Sequence, residues 1–343
     1  MSRNICITAV EGQTGFLIAE LLLKEGKFAR QISSLTGLAL DPSSPRAQEL
    51  TELGGKVVHH QPGRERVMVK ALKEIGCDTM CLVPPAHRDK LDITLELANA
   101  AKKAGVSNVL LISSAGCDYA DSKKQPRLRE FIDIESAVLA TKGDAGTPLG
   151  HSPCVIRAGF YAENLLLYSE QAKADGVLPL PIGESHKFAP VALGVSLRIF
   201  LQIVGHDFDQ PLQDIAHVAA HVLAGKGKHG FDDRHRGQMM IVTGPQLCAG
   251  EELAQAASQA LGVQLEFENI SENEAKRVLA SQSESDESEK EFILEYYSLV
   301  REGKTNYIAT TAFHDVTGTH PTEPNEFFKS YSADFRPRKR AKH

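Results

Sequence analysis

Gly12, Gln13, Thr14 and Gly15 form a stretch near the start of the chain whose residue types and spacing suit holding an anion. Glycine lets the backbone approach a ligand closely, and the first N–H groups of a following helix lack internal partners and face negative charge. Ile5, Ile7 and Val10 suit a buried strand before the turn. Leu17, Ile18, Leu21 and Leu22 recur after it at a spacing of about 3.6 residues, on one helical face. Thr14 is placed to cap that helix. A strand, a glycine turn and a helix in this order are how a dinucleotide pyrophosphate is held. A full G-x-x-G-x-x-G would need glycine at Ala9, and Glu11 puts a carboxylate beside the expected phosphates.

The elements that position this turn follow from apolar periodicity. The pattern predicts further strands over 31–40, 56–59, 79–83, 108–113 and 153–157. Helices are expected over 46–53, 67–75, 91–103 and 129–141. Such alternation demands a parallel sheet with helices on both faces, and ligands bind beyond the C-terminal strand ends. The loops after Val10, Leu40, Val83 and Ser113 therefore form the expected site, with Asp41, Arg46, Pro84, Pro85 and Ser113 at its rim. Asp41 suits either a ribose hydroxyl or the cap of the 42–45 turn, and Arg46 either a 2′-phosphate or a solvated helix face. The fold class is α/β, a Rossmann-type doubly wound parallel sheet with a smaller interleaved C-terminal α+β lobe. Residues 1–160 form the NAD(P)-binding domain, completed by a strand near 238–243, and residues 161–335 a substrate or partner lobe. In that lobe, a turn and then a helix are expected over 158–170, helices over 214–223, 251–261, 272–280, 292–301 and 324–331, and the acidic run 281–289 reads as a mobile loop.

Composition narrows the function classes. With 42% hydrophobic and 24% charged residues, the chain has the make-up of an ordinary globular protein. A formal charge of −6 argues against a direct nucleic-acid or membrane binder. The absence of a signal peptide and of a membrane-length apolar run points to the cytosol or the nucleus. Six scattered cysteines read as reduced core thiols. His217 and His221, four apart on one helix, read as helix histidines rather than half a metal site, and no metal is expected. The basic end 336–343 reads as a solvated tail or a nuclear-import signal.

EGQTGFLIAELLL, LLISSAG and CVIRAGFYAENLL together resemble the NmrA-like family of atypical short-chain dehydrogenase/reductases, as found in fungi. Arg157, Gly159, Phe160 and Asn164 are the most specific point of that likeness, which spans residues 3–335 in overall order. The resemblance implies NADP or NAD as cofactor. It also implies one of two roles: a reductase acting on a small carbonyl or enone, or a catalytically silent NADP sensor that binds a regulatory protein. Phe160, Tyr161 and Asn164 would line the substrate pocket, or the two rings would be core. The chain departs from the family at Ala9, Glu11, Leu40, Gln61 and Pro62.

Hydride transfer to a carbonyl needs a proton donor, commonly a tyrosine beside a lysine, and a serine to orient the oxygen. Ser114, and less directly Tyr119 in a Y-x-x-x-K string ending at Lys123, are the residues available. That string begins only five residues after Ser114, and Glu135 stands where relatives place the lysine. A carboxylate cannot lower a tyrosine pKa. Finally, the family passes directly from KFAPVALG to a D-I-A-x-V-A-A helix, whereas here residues 195–213 intervene. The insert is 213 − 194 = 19 residues, opening on Val and closing on Gln. A GT-initial codon and a CAG codon would match intron borders, which gives the hypothesis of a translated, unspliced intron. Sequenced transcripts carrying these codons in every mature message would contradict it.

Overall fold

The computed structural model describes residues 2–140, 152–194, 213–228, 230–281 and 286–337. Residues 195–212 of the expected insert at 195–213 and the last six residues of the basic tail lie outside them. The chain forms two compact units, each assembled from separated segments.

The first unit comprises Met1–Ser114, Glu130–Arg157 and Ile215–Ile241. Its strands are β1 (Arg3–Thr8), β2 (Ile32–Ala39), β3 (Lys56–His59), β4 (Thr79–Leu82), β5 (Asn108–Ser114) and β6 (Ser152–Ala158). After β7 (Val177–Leu180) in the other unit, β8 (Met239–Val242) completes the sheet. The order is β3-β2-β1-β4-β5-β6-β8. β1 runs parallel to β2 and to β4, with Ile7 opposite Gly37 on one side and Cys81 on the other. β5 is buried along its whole length, as a strand covered on both faces must be. Its continuous NVLLISS run, rather than an alternating one, is the sequence mark of that burial.

Helices α1 (Gln13–Lys24), α2 (Gly26–Ala29), α3 (Pro45–Glu52), α4 (Glu65–Ile75), α5 (Lys90–Ala104) and α6 (Pro126–Leu139) connect the strands. Met68, Leu72, Leu97 and Ala101 pack with Met80 and Leu82 in one apolar cluster. α1 is buried on more than the single face expected, from Gly15 through Leu22. The helix Asp214–Leu223 lies beside Glu25 and α2. His217 Nε2 is 3.3 Å from Glu25 Oε2, and the His221 ring meets Phe28 edge-on at 4.9 Å. Arg3 donates to the carbonyls of Gly227 and Gly230 at 3.1 and 2.9 Å, tying the next loop to the start of β1. These contacts tie the described residues of 215–237 to β1 and α2, whereas their order in the sequence groups them with the C-terminal lobe.

The second unit comprises Ala115–Arg129, Ala158–Asp214 and Val242–His343. β7 pairs in parallel with β9 (Glu266–Asn269). Phe160, Phe188, Tyr296 and Tyr297 form an aromatic cluster, with ring centroids 5.0–5.4 Å from Phe160. One expectation is refined here and another changes. The turn after β6 leads into a 3-10 helix, Ala162–Tyr168, before α7 (Ser169–Asp175). The acidic run ends inside a helix, Glu287–Arg301, because Asp286 caps it by accepting from the Ser288 N–H at 2.8 Å. All six cysteines are buried thiols. Among the described residues no helix is long and apolar enough to cross a membrane.

Candidate functional site

β1 ends at Thr8, and the chain reaches α1 through Ala9, Val10, Glu11 and Gly12. Ala9 has φ 51°, the one non-glycine in the left-handed region among the described residues. That conformation costs an L-residue about 1–2 kcal/mol. The turn holds it there: Gly12 N–H donates to Ala9 C=O at 3.0 Å, while Val10 is fully buried beneath. A Cβ on Gly15 would lie 2.5 Å from the Ala9 oxygen and 2.7 Å from that of Thr8. Only glycine lets the helix start sit this close to the strand end.

The first helical bond runs from Phe16 N–H to Gly12 C=O at 3.2 Å, so the amides of Gln13, Thr14 and Gly15 precede the ladder. The helix opens two residues earlier than a Thr14 cap requires. Gly12 is the N-cap and no side chain caps the end, which corrects the expectation that Thr14 would. No acidic side chain occupies the first turn. This combination of three orphan amides, an uncapped positive helix end and a glycine approach is an anion seat.

The strand order reverses between β1 and β4, the switch point of a doubly wound sheet. Thr8 Oγ1 bridges the two strand ends, donating to Val83 C=O at 2.9 Å and accepting Val83 N–H at 2.7 Å. Pro84 and Pro85 follow, half-buried and buried, with no N–H to offer. They shape the rim rather than donate to a ligand.

At the end of β2 the arrangement is charged. Glu11 Oε1 accepts the Leu40 N–H at 3.0 Å, and Glu11 Oε2 is buried without a hydrogen-bond partner. Burial pushes the Glu11 carboxyl above the ordinary glutamate value, against the opposing pull of the backbone amides. Asp41 Oδ1 accepts both the Ser43 N–H at 2.9 Å and the Ser43 hydroxyl at 2.5 Å. Those bonds hold the exposed Asp41 carboxyl below its usual range. Arg46 Nη1 donates to the Glu11 carbonyl at 3.3 Å.

β5 carries Ser113 and Ser114 to the same end of the sheet. Ser113 Oγ donates to Glu135 Oε1 at 2.5 Å. Glu135 also takes both arms of Arg157, at 2.8 Å from Nε and 2.7 Å from Nη2, with both side chains nearly out of solvent. The Ser113 hydroxyl is thereby committed to a buried ion pair. Sequence reading had singled out Glu135 and Arg157 separately; that they pair was not visible.

The remaining expected residues belong to the second unit. Tyr119 sits in the 3-10 turn Cys117–Tyr119, 55% exposed, and its carbonyl accepts Lys304 Nζ at 2.9 Å. No hydrogen bond joins it to the Lys123 side chain among the described residues. Phe160 is 2% exposed inside the aromatic cluster, so its ring is core; Tyr161 and Asn164 are half-buried. Two buried acids of this unit escaped the sequence reading. Glu163 accepts the amides of Leu193 and Gly194 at 2.9 Å each, and Asp214 accepts the Thr322 N–H and hydroxyl, also at 2.9 Å. Burial raises both carboxyls to about 7. Apart from an acid amid apolar neighbours, the sequence carries no signal for either.

An open sheet wound in both directions from β1, with a glycine turn into a helix at its switch point, defines a Rossmann-type nucleotide fold. The chain belongs to the NmrA-like family, whose profile matches residues 1–333. It is 27% identical over 330 residues to an NAD(P)H azoreductase of Xenophilus azovorans, covering 95% of this chain and 98% of that one. Among solved structures it is similar to the NADPH-dependent quinone oxidoreductase of Escherichia coli complexed with NADPH. That match has TM-score 0.72 and 22% identity, over 95% of this chain and 99% of the other. It is also similar to NmrA, a negative transcriptional regulator, in complex with NADP. There the TM-score is 0.66 and the identity 13%, over 96% and 94% of the two chains.

Proposed function

We propose that the protein is a nicotinamide-dinucleotide-dependent reductase whose acceptor is an electron-poor small molecule of the quinone or azo type. The observation that carries this is the uncapped start of α1 pressed against Ala9, where a Cβ at Gly15 would close the approach. The residues present fit the cofactor. The Gln13, Thr14 and Gly15 amides would hold its diphosphate, Pro84 and Pro85 would bound it at β4, and the Glu11, Asp41 and Arg46 group would face its ribose. When bound in the reduced form, the nicotinamide supplies a hydride equivalent.

Acceptor chemistry follows from the acid–base groups. A simple ketone becomes a basic alkoxide and needs a positioned proton donor. Among the described residues no hydrogen bond joins Tyr119 to Lys123, and Glu135, which the family resemblance puts in the lysine's place, is closed on Arg157. A quinone becomes an oxyanion delocalised into its ring, which takes its proton from water without such help. Ser114, the last residue of β5, would orient the acceptor oxygen, and the Ser113–Glu135–Arg157 group would hold that strand end in place. The names of the azoreductase and quinone oxidoreductase relatives support the same acceptor class.

The test is absorbance-monitored oxidation of NADH and NADPH with benzoquinones, an azo dye and simple ketones. Turnover with the first two and none with ketones is expected. Measurable dinucleotide binding without acceptor-dependent oxidation would overturn the enzyme reading. That outcome would favour a second reading, a dinucleotide sensor with a protein partner, to which the commitment of Ser113 to Glu135 also lends support.

A further inference from the structure

We propose that Glu11 sets the choice of dinucleotide, turning the end of β2 against a 2′-phosphate so that NADH is bound in preference to NADPH. The proposal rests on the dinucleotide reading above and goes beyond it, since neither the family nor the relatives' names assign a preference to this chain.

In a Rossmann-type site the adenosine ribose lies at the end of the second strand, and a 2′-phosphate, where present, adds its charge there. Three features of this chain bear on that position. First, Glu11 leaves the glycine turn and reaches across to β2, where its Oε1 is fixed by the Leu40 N–H at 3.0 Å. The strand-end amide that could donate to a phosphate oxygen is thus already taken by a carboxylate. Second, Asp41 places another carboxylate one residue further on, anchored by the Ser43 N–H and hydroxyl. Third, the Arg46 guanidinium beside Glu11 donates to the Glu11 carbonyl at 3.3 Å rather than standing over an open anion position. Among the described residues, the Glu11 and Asp41 carboxylates outweigh the Arg46 guanidinium at the β2 end, with the His59 ring interacting with Asp41. A ribose 2′-hydroxyl can donate a hydrogen bond to either carboxylate. A phosphate dianion has only acceptors to offer and meets like charge.

The size of the preference follows from Coulomb interaction at a partly buried surface. Unit charges a few ångströms apart there interact by more than about 1.4 kcal/mol, the equivalent of a tenfold ratio. A preference for NADH of about tenfold or more is therefore expected at low salt. Because part of it acts through solvent, raising the ionic strength should narrow it.

The experiment is calorimetric titration of the full chain with NADH and with NADPH, at low and high salt, repeated on Glu11→Gln. Thermal unfolding of both proteins checks that the variant folds. Glutamine keeps an oxygen for the Leu40 N–H while removing the charge. The expected result is tighter binding of NADH to the unaltered protein, narrowing in salt, with Glu11→Gln bringing the two affinities within about threefold, mainly through gained NADPH affinity. Equal or tighter NADPH binding to the unaltered protein, or a ratio unmoved by Glu11→Gln, overturns the assignment of Glu11 while leaving the dinucleotide site standing. If neither dinucleotide binds to folded protein, the functional reading falls together with this inference. Should Glu11→Gln fail to fold, the ratio and its salt dependence in the unaltered protein decide alone.

Discussion

Ala9 carries the plainest mark of strain in the molecule. Its φ of 51° is a glycine conformation occupied by an alanine, at the residue where the glycine turn leaves β1. Ala9→Gly should relieve the strain at the cost of a looser unfolded chain, for a net gain of about 0.5–1 kcal/mol. A higher urea midpoint with unchanged slope would show it; a lower midpoint would mean the turn is not strained there. The pair Glu135 and Arg157 gives an opposite expectation. Arg157→Leu strands a buried carboxylate and should cost about 3–5 kcal/mol, whereas Glu135→Met with Arg157→Met should restore most of that loss. Equal destabilisation by the single and double changes would deny the pairing. At this scale the sequence was partly readable. Ala9 and Glu11 announced themselves as departures within a familiar turn. The Glu135–Arg157 bond did not, because it joins residues 22 apart that meet only once α6 has packed beside β6.

Elements were more legible than contacts. The strand NVLLISS and the run TMCL read directly as β5 and β4, because strands covered by helices are continuous apolar segments, whereas KVVH, with exposed Lys56 and His59 at its ends, forms the edge strand β3. Less regular pieces resisted. Ala162–Tyr168 has helical residue types, but Tyr161 and Val191 are drawn into a backbone bridge, and the chain after it tightens into a 3-10 turn. The short helices Gly26–Ala29 and Ala312–Thr317 are too brief to show a periodicity. At the start of the helix Asp214–Leu223, Asp214 supplies an electrostatic test. Burial raises its carboxyl from 3.8 to about 7, despite the two bonds from Thr322. The folded protein therefore keeps this proton over a range where the unfolded chain has released it. Stability from this group is greatest below about pH 4 and is lost as pH rises toward 7. Asp214→Asn keeps an acceptor for Thr322 and removes the titration. Relative to that variant, the unaltered protein should lose roughly 2 kcal/mol between about pH 5 and about pH 8 in urea unfolding. Parallel pH profiles would contradict the shift. Glu163 acts in the same direction.

At the scale of the whole molecule, each unit draws on separated stretches of chain, which a division by sequence order does not follow. Residues 215–237 read as part of a C-terminal lobe because they follow β7 in order. They belong with the sheet because His217 and His221 meet Glu25 and Phe28, and Arg3 holds the Gly227–Gly230 turn. Contacts of this kind join residues about two hundred positions apart, and no local pattern encodes them. The proposed diphosphate seat, by contrast, is local: Ala9 to Phe16, one turn and the first helical turn after it. The most direct test is amide hydrogen exchange of the full chain with and without saturating NADH. New protection concentrated over residues 9–16 is the predicted result. Exchange in that stretch left unchanged, with NADH bound, would place the dinucleotide elsewhere and contradict the account at its centre.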